Sequence, residues 1–466
     1  MKQIIVQSLV SSTQTAVMDD NKLVELLIED NIHKKTKSNI YRGIVKNVKP
    51  GIEAAFVDIG FEKMAYLPIK PSDNIKNGME VLVQINKESV GTKAPKLTQE
   101  ISLSGRYLVL IPSNDRVTIS NKISEEKERF RLKKLVKSFN KEKLGIIIRT
   151  EAAGCDVEIL KEDFDLLLDK YQNISKEFKL GIGPKLLYKE LDLDTKYIKD
   201  NVGEDIDQII FNDREKYTEI KGILKKIDKN YINKLILEEN RDVFDLYKVS
   251  NEIQKALNKK VWLKSGGYLI IEKTEALTVI DVNTGKFTGN ISREETMYKT
   301  NLEACEEIAR QLKIRDIGGI IIVDFIDLYK KKSKESLIKK LEESLNKDKR
   351  KSEVLGITRL GLVEIARRRE KDSIESYYLR ACERCRSDFS QKSINYILDD
   401  VEKEIMRIKE HTDYKNISIE FTPYVYNEIK NNYIEVLNKI SSKYDINIDI
   451  IKTEKINQKD VKFIYL

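Results

Sequence analysis

Three oxygen-bearing side chains at the ends of two apolar segments are the residues best placed to do chemistry. In Leu277-Thr-Val-Ile-Asp-Val-Asn283 the two-residue period of a strand puts Asp281 and Asn283 on one face. In Ile320-Ile-Ile-Val-Asp324 a carboxylate closes an otherwise apolar run. A carboxylate in such surroundings is costly unless it is paired or coordinates a cation. Two of them at the ends of neighbouring strands would make an oxygen-only site of the kind that suits Mg2+ or Mn2+. A hydrated metal there could activate water and neutralise charge developing on a phosphodiester. The same spacing fits aspartates that cap the following loop, or that pair with Arg315 or Lys286. Spacing alone does not separate the two readings.

Histidine narrows the choice. The chain has two, His33 and His411, near its opposite ends. Two histidines so placed argue against a paired-histidine acid–base mechanism and against a histidine-rich metal site. Catalysis must rest on carboxylates, lysine, cysteine or a metal-bound water.

Cys382-Glu-Arg-Cys385 is half of a tetrahedral zinc site, which wants four ligands. The other cysteines, Cys155 and Cys305, are isolated; Cys305 shares a helix face with Asn301, Ile308 and Leu312 and is expected in the core. The pair is therefore either a thiol pair or one half of a zinc site shared by two chains.

Further back, short strands at 41–48, 53–59, 64–67, 81–85 and 97–103, with turn residues between them, predict a small OB-type barrel. Phe56 and Tyr66 flank its Asp58-to-Met64 turn, and Lys93 and Lys96 follow a Gly-Thr loop. Aromatics beside lysines can stack bases and hold phosphates of a single strand; equally, Phe56 can be core. Arg149-Thr150, after a strand at 145–149, offers a planar fork and a hydroxyl to a phosphate. Lys330–Lys334 and Arg367–Arg369 fit solvated helix faces or an RNA path.

Those elements sit in a chain of 466 residues, long enough for about two to four domains. Residues 1–30 read as a strand meander, and 206–256 as alternating strand and helix. In the regular block 261–380, helices at 293–312 and 330–346 flank the run Gly319–Phe325. That continuous apolar run predicts a sheet buried on both faces. The hydrophobic fraction of 41% and charged fraction of 34% exclude disorder. No apolar run is long enough to span a membrane. Four cysteines agree with a reducing compartment, so a cytoplasmic protein is expected.

Ala276-Leu-Thr-Val-Ile-Asp-Val-Asn-Thr-Gly285, Thr300-Asn-Leu-Glu-Ala304, Glu307-Ile-Ala-Arg-Gln-Leu312 and Arg315-Asp-Ile-Gly-Gly-Ile-Ile-Ile-Val-Asp-Phe-Ile-Asp327 closely resemble the ribonuclease E/G family. The likeness runs through about residue 386 and thins beyond it. With no long charged or Pro-rich tail in the sequence, it is to the short, ribonuclease G-like form. The resemblance implies a Mg2+-dependent endoribonuclease that cuts single-stranded AU-rich RNA, favours 5′-monophosphorylated ends and serves rRNA processing and mRNA decay.

It also implies an α/β multidomain fold. Residues 1–35 plus 195–256 would form a ribonuclease-H-like subdomain. An S1 (OB) barrel at 36–105 and a 5′ sensor at 106–194 would be inserted in it. A DNase I-like catalytic α/β subdomain at 257–380, a zinc link at 381–388 and a small C-terminal domain at 389–466 would follow.

By the same resemblance Asp281 and Asp324 hold the magnesium and Asn283 positions the phosphate or the attacking water. Asp327 falls on the opposite strand face and is read as structural. Phe56 and Tyr66 face RNA. Arg149 and Thr150 belong to the 5′-monophosphate pocket, whose further arginine falls at Lys351, a residue without the planar fork. Cys382 and Cys385 share a zinc between chains of a homodimer or homotetramer. Here Glu383 replaces the family's usual proline, and Arg386–Ser387 its glycine. The rival expectation is a non-catalytic S1-domain factor that binds RNA or ribosome; retention of both aspartates argues against it.

Overall fold

Six strands carry the two aspartates. In spatial order they are Lys260–Trp262, Tyr268–Lys273, Leu277–Asn283, Gly319–Asp324, Val363–Arg367 and Ser352–Ile357. The computed structural model describes residues 1–32, 36–70, 73–87, 94–203, 205–285, 293–348, 350–369, 373–381, 391–454 and 461–465. Helices Arg293–Ile314 and Lys331–Asn346 cover one face of this sheet. Leu269, Ile271, Ile280, Val282, Ile321 and Val323 pack there against Ala304, Cys305, Ile308, Leu312, Leu337 and Leu341. The helical apolar residues recur at three- and four-residue steps, the stripe that buries one side of a helix. Cys305 is core, as expected, and burial pushes its thiol up to about 12.

The expectation of a sheet buried on both faces does not hold. Along Gly319–Asp324 burial alternates: Ile321 and Val323 are fully buried, while Ile320 is 57% exposed and Asp324 is exposed. Both helices lie on the same side. Only the Asp281 and Asp324 strands run parallel within the sheet; the other pairings are antiparallel, an arrangement that tolerates a wet face. The aspartates stand on that open face.

By contact, the chain divides into two units, Met1–Ile32 with Asn201–Leu466, and His33–Asp200. In the first unit the N-terminal meander is as expected: Lys2–Ser8, Ser12–Asp19 and Lys22–Asp30. Lys2–Ser8 also pairs parallel with Gln208–Phe211, which pairs parallel with Leu235–Leu237. Ile5, Met18, Ile210, Phe244 and Tyr378 share one core. Near the C-terminus a three-stranded sheet, Asn447–Lys452, Asn416–Phe421 and Val461–Tyr465, packs with helices Ile394–His411 and Ile434–Tyr444.

In the second unit Ile40–Lys49, Ala54–Asp58, Ala65–Pro68, Lys96–Thr98 and Glu80–Lys87 close into a five-stranded barrel, consistent with an OB fold. Inward residues Val45, Val57, Leu67, Val83, Ile85 and Leu97 fill it. The strand expected at 97–103 is Lys96–Thr98 only; Leu103–Ser104 joins the next sheet instead, beside Leu108–Ile111, Gly145–Ile148 and Val117–Ile119. Helices Glu126–Phe139 and Val157–Leu180 pack on that sheet. Among the described residues no helix is long and apolar enough to cross a membrane.

Candidate active site

The strand register sets the geometry of the site. Leu277–Asn283 and Gly319–Asp324 run parallel with Asp281 directly opposite Asp324. Neighbouring strands lie roughly 4.8 Å apart, and opposed residues share a face, so both carboxylates rise side by side into solvent. Asn283, two residues along the same face, donates from Nδ2 to Asp281 Oδ2 at 2.7 Å.

Arg315 is not the partner of these aspartates. It is buried, donating from Nε to Gln311 Oε1 at 2.7 Å and from Nη2 to the Asn258 carbonyl at 2.7 Å. Lys286 lies outside the described residues. Among the described residues no lysine or arginine pairs with Asp281 or Asp324, and no group of three or more His, Cys, Asp or Glu forms a metal cage. Two adjacent carboxylates and an amide leave most of a coordination sphere to water and substrate. That donor set fits Mg2+, which dehydrates reluctantly and is usually held by one or two carboxylates.

Asp327 needs a different account from the one its strand position suggested. The strand ends at Asp324, so Asp327 belongs to the loop beyond and has no strand face; it is exposed.

Helix Arg293–Ile314 positions both ends of the site. Fully buried Asn301 donates from Nδ2 to the Ile326 carbonyl at 2.7 Å and accepts from the Ile326 N–H at 3.1 Å. Glu303 accepts the N–H groups of Lys264 at 2.5 Å and Ser265 at 3.1 Å, holding the turn between the first two strands. At Gly285 (φ +61°) a Cβ would stand 2.3 Å from the Gly266 carbonyl oxygen. The chain leaving Asn283 can pass that turn only as glycine.

The family model described as the ribonuclease E/G family matches residues 102–370. Ribonuclease G of Escherichia coli (strain K12) is 36% identical over 450 residues, covering 92% of this chain and 92% of that one. Ribonuclease G of Haemophilus influenzae is 36% identical over 420 residues, 85% of this chain and 86% of its own. The chain belongs to the ribonuclease E/G family. Ribonuclease E of Haemophilus influenzae is 32% identical over 476 residues, 96% of this chain but 50% of that longer protein. Membership makes the chain an endoribonuclease, a hydrolase of phosphodiester bonds, and sets aside the non-catalytic binding factor.

The other residues singled out from sequence fall as follows in this member of the family. In the barrel Phe56 is directly opposite Tyr66, and Tyr66 opposite Lys96. The two rings meet edge to face at 6.3 Å, both half-buried, with Lys96 exposed. This one row brings together three of the four barrel residues; Lys93 lies outside the described residues, as do Cys382 and Cys385.

Arg149 donates from Nη1 to the Gly105 carbonyl at 2.6 Å and from Nη2 to Asp200 at 3.1 Å, with Glu151 at 3.6 Å. The Thr150 hydroxyl lies 3.0 Å from that of Ser120. Asp163 accepts from the N–H groups of Arg106, Tyr107 and Leu108, fixing the turn that Arg149 touches. Arg367 leaves the list of exposed cations: it is buried and paired with Asp348 at 2.6 Å.

Asn301, Glu303 and Asp163 escaped the reading of the sequence. Asn301 did leave a signal, a polar residue on an apolar helix stripe, since buried amides are held there by hydrogen bonds. Nothing in the sequence tied Glu303 to a turn some forty positions upstream.

Proposed function

We propose that the chain is a Mg2+-dependent endoribonuclease cutting single-stranded RNA, AU-rich by preference, at Asp281 and Asp324. The observation that carries this is the direct register pairing of two exposed carboxylates with no basic partner among the described residues. Like charges so placed repel unless a cation sits between them. Asp281 and Asp324 would hold the magnesium, which when bound supplies charge neutralisation at the phosphodiester and a more acidic water. Asn283 fixes one oxygen of Asp281 through its amide. Its carbonyl then serves as an acceptor that orients the attacking water or the phosphate.

The barrel row of Phe56, Tyr66 and Lys96, together with Lys93, would hold the single strand by stacking and charge. Arg149 and Thr150 would read a 5′-monophosphate, with Asp200 and Glu151 holding the guanidinium in place until the anion binds. Cys382 and Cys385 would share a structural zinc with a second chain of a homodimer or homotetramer. The setting would be cytoplasmic, with rRNA precursors and mRNA as substrates.

The test is cleavage of a 5′-monophosphorylated AU-rich oligonucleotide in Mg2+ by wild type and Asp324→Asn. Equal rates would remove the aspartate pair from the reaction.

A further inference from the structure

The open face of the aspartate sheet carries an aromatic feature that the proposed chemistry does not use. Trp262 stands on the edge strand Lys260–Trp262 and is 64% exposed. It is directly opposite Tyr268, which is directly opposite Asn283. One residue row away, Lys260 stands in line with Ile270, Asp281 and Asp324. The indole and phenol rings meet at 5.4 Å. The Lys260 ammonium lies 4.1 Å from the Trp262 ring and 3.7 Å from the Tyr268 ring.

Opposed residues share a face, so Trp262, Tyr268, Asn283, Asp281 and Asp324 look out on the same side. Trp262 is two strand spacings, roughly 10 Å, from the Asp281 strand, the reach of a nucleotide next to the one cut. Glu303 holds the turn joining the two aromatic strands, on the same helix that steadies the segment after Asp324.

We propose that Trp262 and Tyr268, with Lys260 between them, form a stacking platform for a nucleobase of the RNA beside the cut phosphate. This rests on the reading of Asp281 and Asp324 as the cutting site. A large indole left in water on an edge strand, next to a cation and on the same face as the aspartate pair, matches how single strands are gripped. Stacking tolerates any base, so the platform would orient the strand without choosing its sequence. Lys260 supplies the positive charge that the aspartates deny to the neighbouring phosphate.

Trp262 is the chain's single tryptophan, so its fluorescence reports on the platform alone. The full chain is titrated in magnesium-free buffer with a single-stranded RNA oligonucleotide, and with an abasic oligonucleotide of the same length. The expected result is a saturable quench and loss of acrylamide access with the RNA, much reduced with the abasic strand. Trp262→Leu should weaken binding roughly tenfold and Trp262→Phe should restore most of it. Lys260→Met should lower the salt slope of binding by about one.

Unchanged fluorescence with RNA, or equal affinity in Trp262→Leu, overturns the proposal. So does an emission shift that follows protein concentration rather than RNA, which assigns the face to a second copy of the chain. An Asp324→Asn variant that still cleaves would instead sink the metal reading, whatever the quench shows.

Discussion

Asn301 grips the backbone of Ile326 twice, at 2.7 and 3.1 Å, two residues beyond Asp324. The amide sits wholly inside the core, on the face that carries Cys305 and Ile308. It therefore ties the chain emerging from the aspartate strand to the helix behind the sheet.

Asn301→Ala should both destabilise the fold and misplace Asp324. Each backbone group left without a partner costs about 1–3 kcal/mol. At a temperature where both proteins are folded, kcat/KM should fall at least tenfold, roughly what a small misplacement costs. Thermal unfolding and steady-state cleavage measure the two effects separately. A variant that melts early yet cleaves like wild type would leave Asn301 a purely structural role.

Magnesium should stabilise the wild-type fold through the aspartate pair. A ligand at ten times its Kd adds ~1.4 kcal/mol to the state that binds it. In the double variant Asp281→Asn, Asp324→Asn that gain should vanish. In EDTA the variant should melt no lower than wild type, because it has lost a repulsive pair rather than an attractive one. Melting curves across a magnesium titration decide this; an equal gain in both proteins places the ion elsewhere.

Cys382→Ser with Cys385→Ser should release stoichiometric zinc and shift the chain toward smaller species. Metal analysis combined with sedimentation velocity is the measurement. An unaltered sedimentation profile would rule out a zinc shared between chains.

Stability should fall as pH rises through the range of one buried carboxyl. Burial raises Asp399 from 3.8 to about 6, although Lys403, Ser11, Tyr377 and Ser12 all favour its ionised form. Below 3.8 the carboxyl is neutral in both folded and unfolded chains, and its contribution is fully present. Between 3.8 and about 6 the unfolded chain gives up the proton first, so that contribution is lost with rising pH. The difference amounts to about 3 kcal/mol. Asp399→Asn should flatten this part of the pH profile in chemical denaturation, even if its hydrogen bonds to Ser11, Ser12, Gln14 and Tyr377 are weakened. A profile as steep as wild type would assign the slope to other groups.

Much of the fold could be read from local pattern. Alternation and turn residues located the N-terminal meander and four of the five barrel strands to within a few residues, because each is a short-range property of the chain; the strand expected at 97–103 stops at Thr98. Asp281 and Asn283 were legible as one face for the same reason. The run Ile320–Val323 misled, since four apolar residues look alike whether one face or two is covered. Only the placement of both flanking helices on one side left Ile320 in water. Asp327 was misassigned to a strand face because its strand stops three residues earlier.

From the order of its residues alone the chain declared its family, its scarcity of histidine and the two aspartates on which the proposed catalysis depends. Folding decided what stands beside them. Strand register set Asp281 against Asp324 in line with Lys260, and set Asn283, Tyr268 and Trp262 in the neighbouring row of the same face. Helix packing brought Asn301 and Glu303 to segments on either side of them in sequence. Hydrogen-bonded pairing between strands depends on how the whole sheet assembles, and no local period encodes it.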